Sequence, residues 1–94
     1  SLTFAYSRKD DLWLHARDTP GSHVIIRNPT AAAIPNQVLE FAASLAAKHS
    51  KRKHEKLVPV QYTERKYVRK VKNGAAGAVL VEREKVIMIE PYEV

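Results

Sequence analysis

Apolar residues alternate with polar ones toward both ends of this 94-residue chain, and they recur at three- and four-residue steps in its middle. Leu2 to Tyr6 alternates and predicts a first strand. Between Asp11 and Arg17 a two-residue period puts Leu12, Leu14 and Ala16 on one side and Asp11, Trp13, His15 and Arg17 on the other. The first side predicts core and the second a polar site. In Thr19-Pro20-Gly21-Ser22 a proline sits where a turn fixes φ at about −65° and a glycine where a type II turn needs positive φ. The chain is therefore expected to reverse there into a second strand, His23 to Arg27, antiparallel to the first.

After a loop at Asn28-Pro29-Thr30, Pro35 suits the first turn of a helix, because its missing N–H would go unused there. Val38, Phe41, Ala42, Leu45, Ala46 and His49 then follow helical spacing. Ala42, Ala43, Ala46 and Ala47 make this face small enough to lie close against a sheet. The charged run from Ser50 to Lys56 has no apolar period and is expected to be a mobile loop. Leu57 to Tyr62 predicts a strand, with Pro59 pointing to an edge or a bulge. Thr63 to Lys72 reads as either a turn or a ragged strand. Ala78 to Glu82 and Lys85 to Ile89 predict a closing hairpin through Glu82-Arg83-Glu84. The expected fold is α+β, a mainly antiparallel sheet of about five to six strands with one amphipathic helix packed on one face.

This length allows a single domain, residues 1–94, with one core that needs no metal or disulfide staple. The chain opens on Ser1 and reaches strand-like sequence at once, so it is expected to be cut from a longer protein. There are no cysteines, which excludes disulfides, thiolate metal sites and a cysteine nucleophile. No apolar run reaches the roughly 18 residues of a membrane span, and no signal-peptide order is present. A soluble, cytoplasmic protein with no membrane partner is expected. The formal charge of +6 is unevenly placed: residues 48–72 hold ten Lys and Arg against two Glu, a net +8. Such a block fits a polyanion partner, most often nucleic acid, although a solvated basic loop has the same composition.

The residue types for acyl transfer are present in Ser22, His15, His23, Asp11 and Asp18. They fall on a turn and its flanking strands, with no nucleophile elbow around the serine. No zinc-type spacing and no glycine-rich phosphate loop occurs. The expectation is a non-enzyme without metal or cofactor. A lone tryptophan in a small domain is commonly core. Trp13, however, shares its strand face with Asp11, His15 and Arg17, an arrangement suited to stacking bases within a ring of hydrogen-bonding groups.

Asp11-Leu12-Trp13-Leu14-His15 fits a [D/E]-x-W-x-H motif. With Asp18, Pro20-Gly21-Ser22-His23-Val24 and the Ala-rich helix ending at Ser50, it resembles the NFACT-R domain, found in the RqcH proteins of bacteria, in animal NEMF and in relatives described as fibronectin-binding proteins. Gln61-Tyr62-Thr63, Lys66-x-Val68-x-Lys70, Gly77-x-Val79 and the last strand running into Pro91 are similar to the family's later blocks. The family's usual upstream Gly-Arg-Asn stretch is missing here, which implies a domain lacking its N-terminal edge. The resemblance implies a non-catalytic RNA-binding module of ribosome-associated quality control, with the large ribosomal subunit, its rRNA and tRNA as partners. Asp11, Trp13 and His15 become the motif residues and Pro20, Gly21, Ser22 and His23 the adjoining turn. On this reading Asp11, Trp13, His15, Arg17, Gly21, Ser22 and His23 form the RNA-facing site, and Lys51, Arg52, Lys53, Arg65, Lys66, Arg69 and Lys70 meet phosphates. The alternative is a protein-docking module whose basic segment binds an acidic ribosomal or adhesion partner.

Overall fold

A computed structural model describes residues 6–71 and 78–93. The strands and helix follow in the order β1 (Leu12–Ala16), β2 (Val24–Ile26), α1 (Asn36–Lys48), β3 (Val58–Glu64), β4 (Val68–Lys70), β5 (Val79–Val81) and β6 (Lys85–Ile89), with a 3-10 turn at Arg65–Tyr67. The α+β expectation holds, with the six strands divided between two antiparallel sheets. One has the order β2-β1-β3-β6, and β4 pairs with β5 in the other. The predicted strand Leu2 to Tyr6 lies outside the described residues except for Tyr6, whose backbone is helical.

Helix α1 covers one face of the four-stranded sheet. Ala42, Ala43, Ala46 and Ala47 pack with Leu14, Ala16, Val58 and Val60, and Leu12, Ile26, Ile87 and Ile89 fill the margin. Methyl-sized side chains let the helix axis come close to the strands, so a core of small residues closes without voids. Of the periodic positions expected to be buried, Val38 and Phe41 point outward instead, at 42% and 53% exposure. The buried stripe is thus rotated toward the alanine pairs. Phe41 meets Tyr92 edge to face at 5.6 Å, and Tyr92 N–H donates to Ser44 O, which fastens the C-terminal segment to the helix.

Three local expectations are corrected. The chain reverses after β1 at Asp18, whose φ is 53°, and not through a positive φ at Gly21. An aspartate tolerates the left-handed region better than most residues. Gly21 is needed for space: a Cβ there would lie 3.0 Å from Ser50 Cβ and 3.1 Å from His49 O. Second, Pro59 lies in an interior strand, not at an edge. Its missing N–H falls where β1 ends, and the Arg17 carbonyl that it would have bonded accepts from Arg52 Nη1 at 3.2 Å, while Arg17 N–H donates to Pro59 O. Third, β5 and β6 do not form a hairpin. Arg83, with φ 55°, turns the chain so that β5 pairs with β4 and β6 with β3.

Candidate nucleic-acid interface

Because successive strand residues face opposite ways, the side of the sheet away from α1 carries Trp13 and His15 from β1 and Pro59, Gln61 and Thr63 from β3. Cross-strand partners are Trp13 with Ile25 and Thr63, and His15 with Gln61. One half of this outer face is roofed. Thr63 Oγ1 donates to Glu82 O at 3.0 Å at the end of β5, and Glu82 N–H donates to Tyr67 O. Under that roof Trp13 is 0% exposed. The polar-site side of β1 is therefore partly a second core, separate from the one beneath α1.

Trp13, His15 and His23 form one aromatic cluster. The His15 ring lies nearly parallel to the indole, 13° between planes and 5.9 Å between centroids, and His23 stands edge-on to both, at 5.4 Å from Trp13 and 5.0 Å from His15. His15 Nε2 lies 3.3 Å from Gly21 O. A carbonyl only accepts, so this contact selects the tautomer protonated at Nε2. The buried Trp13 Nε1–H has no hydrogen-bond partner among the described residues. Burial lowers the pKa of both histidines; backbone carbonyls oppose this at His15, and at His23 the neighbouring His15 charge adds to it.

The sign of that shift sets a pH dependence. The unfolded chain takes up protons near the ordinary histidine pKa of 6.5 while the folded chain still resists them. Stability is therefore full above about pH 6.5 and falls as pH drops from there toward the lowered folded values. Urea unfolding at pH 7.5 and pH 5.5 should show the loss, and a His15→Gln, His23→Gln double variant should reduce it. An equal loss in the variant would remove these two rings as its cause.

Asp11 belongs to the frame of the site. Its carboxylate accepts from the backbone N–H of Arg8 and of Asn28, each at 2.8 Å, and it is 1% exposed. Burial pushes its pKa up, but the two N–H donors and the charges of Arg27 and Arg8 outweigh this, so the net shift is downward.

The loop after α1 comes to the same end of the sheet. Gly21 and Ser50 form an isolated antiparallel bridge, Ser22 N–H donates to His49 O, and Lys51 N–H donates to Pro20 O. Ser50 Oγ donates to Ala47 O and accepts from Arg52 N–H. The segment expected to be mobile is thus pinned by named hydrogen bonds. His15, Arg17, Ser22 and His23 gather beside Lys51 and Arg52, with Lys53 following on the same loop. Arg52 is committed to a two-pronged pair with Glu55, both contacts 2.9 Å, and to Arg17 O. Arg17 Nε lies 3.8 Å from Asp18 Oδ2. Lys51 and Lys53 are exposed and make no ion pair among the described residues, and Lys53 lines a cleft shared with Lys48 of α1, Glu55, Glu90 and Glu93.

The second predicted basic group lies elsewhere, past the opposite end of β1, where Arg65 N–H donates to Asp11 O. Arg65 donates to Ser7 Oγ and Val68 O and helps hold the 3-10 turn. Lys66 pairs with Glu64 and Asp10, and Arg69 with Glu82. Lys70 is exposed on β4. Sequence distance had hidden this division. The structure also makes Gln61, the first residue of the Gln61-Tyr62-Thr63 block, the cross-strand neighbour of His15, a placement that only the pairing register gives.

Comparison with known proteins agrees with this geometry. Residues 1–83 match the family model described as the NFACT protein RNA binding domain. The Rqc2 homolog RqcH of Bacillus subtilis is 37% identical over 90 residues, covering 96% of this chain and 15% of that protein. The Rqc2 homolog RqcH of Streptococcus suis is 39% identical over 92 residues, covering 98% and 16%. The solved C-terminal part of the fibronectin/fibrinogen-binding protein from Streptococcus suis superposes with a TM-score of 0.86 at 39% identity, over 98% of this chain and 36% of that one. This chain spans 15 to 16% of the length of the two curated relatives. Among the described residues, no helix is long and apolar enough to cross a membrane.

Proposed function

Since this chain belongs to the family of NFACT protein RNA binding domains, we propose that it is a non-catalytic module that binds ribosomal RNA or tRNA on the large subunit during quality control of stalled nascent chains. The observation that carries the reading is the Gly21–Ser50 bridge, which joins the motif turn to the basic loop. Phosphates meet Arg17, Lys51 and Lys53, and His15, Ser22 and His23 lie beside them. Burial keeps the two rings neutral near pH 7, so they serve as hydrogen-bonding and stacking groups more than as cations. Trp13 supports them from beneath, and Asp11 and Gly21 hold the turn in place. Arg17 lies 3.8 Å from the exposed Asp18 carboxylate, a looser contact than those that hold Arg52, Arg65, Lys66 and Arg69, which make a weaker phosphate-binding set.

Anisotropy titration against tRNA and a large-subunit RNA fragment over a salt series tests this. Each lost phosphate contact flattens the log–log salt slope by about 0.7 for single strands and about 0.9 for duplexes. Lys51→Ala with Lys53→Ala should therefore flatten it by roughly 1.4 to 1.8 units. Lys66→Ala with Arg69→Ala should change it less, because these cations are already paired with Asp10, Glu64 and Glu82 and neutralise fewer phosphates. The reverse ranking would move the phosphate site to the β4 end. Binding to whole large subunits that survives nuclease, with no binding to either RNA, would replace the proposal by docking on an acidic protein.

A further inference from the structure

Among the described residues, only half of the outer face of the four-stranded sheet is covered. Beyond the roof over Trp13 and Thr63, the register runs one row across the sheet from His15 to Gln61 to Val86 and the next from Arg17 to Pro59 to Met88. Ile87 and Ile89 turn toward the α1 side, so Val86 and Met88 of β6 face outward with the histidines. Val86 and Met88, on the edge strand β6, are 42% and 54% exposed. The two rows thus carry imidazole, amide and apolar surface and not one carboxylate. At one end they meet the loop holding Lys51 and Lys53, which the hydrogen bond from Arg52 to Arg17 O ties to the last residue of the row.

We infer that this open half-face is a platform for unpaired nucleotides of looped or single-stranded RNA, with bases lying across His15, Gln61, Val86 and Met88 and phosphates following Arg17, Lys51 and Lys53. The inference rests on the RNA-binding reading above and adds the form of RNA and residues outside the motif. Charge complementarity selects the occupant: an apolar strip with no carboxylate in its two rows, ending at Lys51 and at an Arg17 that the exposed Asp18 offsets only loosely at 3.8 Å, fits a polyanion that carries flat apolar rings. A base pair hides its ring faces inside the stack and presents only edges and backbone, so a duplex gains little from Val86 or Met88. An extended single strand can place its rings on them while its backbone reaches the lysines. Met88 suits such a role, since an unbranched thioether conforms to different ring shapes.

The test compares binding of a single-stranded oligonucleotide, and of a fully paired hairpin stem of the same charge, by wild type, Met88→Glu, Gln61→Ala and Val38→Glu. Val38 is as exposed as Val86 but lies in the first turn of α1, on the other side of the sheet, so Val38→Glu adds the same charge away from the platform. Wild type should bind the single strand more tightly than the stem. Met88→Glu should weaken the single strand by roughly tenfold or more, the loss of about one stacked base. Val38→Glu should have a much smaller effect, and melting temperatures should stay close to wild type. Gln61→Ala should weaken the single strand and leave the stem unchanged. Equal effects of the two glutamates, or tighter binding of the stem, would overturn the platform while leaving RNA binding in place. Failure to bind either RNA would instead overturn the RNA-binding reading itself.

Discussion

Replacing Trp13 with alanine should cost about 3–5 kcal/mol of stability, the range for truncating a buried large aromatic side chain. In a domain of this size that is a fall in melting temperature on the order of 15–30 °C. The indole is 0% exposed, pairs across strands with Thr63, whose hydroxyl holds Glu82 at the end of β5, and supports the His15 and His23 rings on its face and edge. Domains of this kind have only about 5–15 kcal/mol in total, so the variant would be partly unfolded at physiological temperature and would lose RNA binding for that reason. Trp13→Phe separates the two effects. It keeps an aromatic ring and removes the unpartnered Nε1–H, whose burial has a cost of its own, so its loss of stability should be much smaller. Thermal and urea unfolding of both variants decide the matter. If Trp13→Ala melts like wild type and only binding falls, the ring is reached by RNA and the roof over it is not the binding-competent arrangement.

The two-residue period correctly separates Leu14 and Ala16 from Trp13 and His15, and the antiparallel β1–β2 pair and α1 were equally legible. Each is a local feature, fixed by alternation or by helical spacing within a few residues. What lies over the Trp13 side of the sheet was not legible, because Thr63 is held by Glu82 and Glu82 by Tyr67, and no local pattern encodes such long-range contacts. The same holds for β5. Its short link to β6 resembles a hairpin turn, yet Glu82 N–H bonds Tyr67 O and Arg83 takes a positive φ, and both direct the strand to β4 instead. Pro59 misled for a related reason. Proline is excluded from interior strands only where its N–H is wanted, and here the Arg52 side chain supplies the bond. The basic block could not tell which cations already have carboxylates beside them. Lys51 and Lys66 read alike in sequence, and only Lys66 lies against Glu64 and Asp10.

Asp11→Ala should be the most damaging polar substitution, at about 2–4 kcal/mol, because it leaves two backbone N–H groups without their charged acceptor. Those groups belong to Arg8, where the chain enters β1, and Asn28, where it leaves β2, so one carboxylate ties the start of the hairpin to its end. Asparagine at this position retains only one accepting oxygen, so Asp11→Asn should recover part of the loss and not all of it. The pH dependence identifies the charge itself. Asp11 has its pKa lowered below 3.8 on folding despite its burial, so its contribution is fully present above that value and is lost as pH falls through the folded pKa. Wild type should therefore lose stability between about pH 4 and pH 2 more steeply than Asp11→Asn. Parallel acid limbs, or an Asp11→Ala variant as stable as wild type at pH 7, would mean that the two N–H groups find other acceptors. The first acid of the [D/E]-x-W-x-H motif would then have to be explained by contact with RNA, not by its hold on the hairpin.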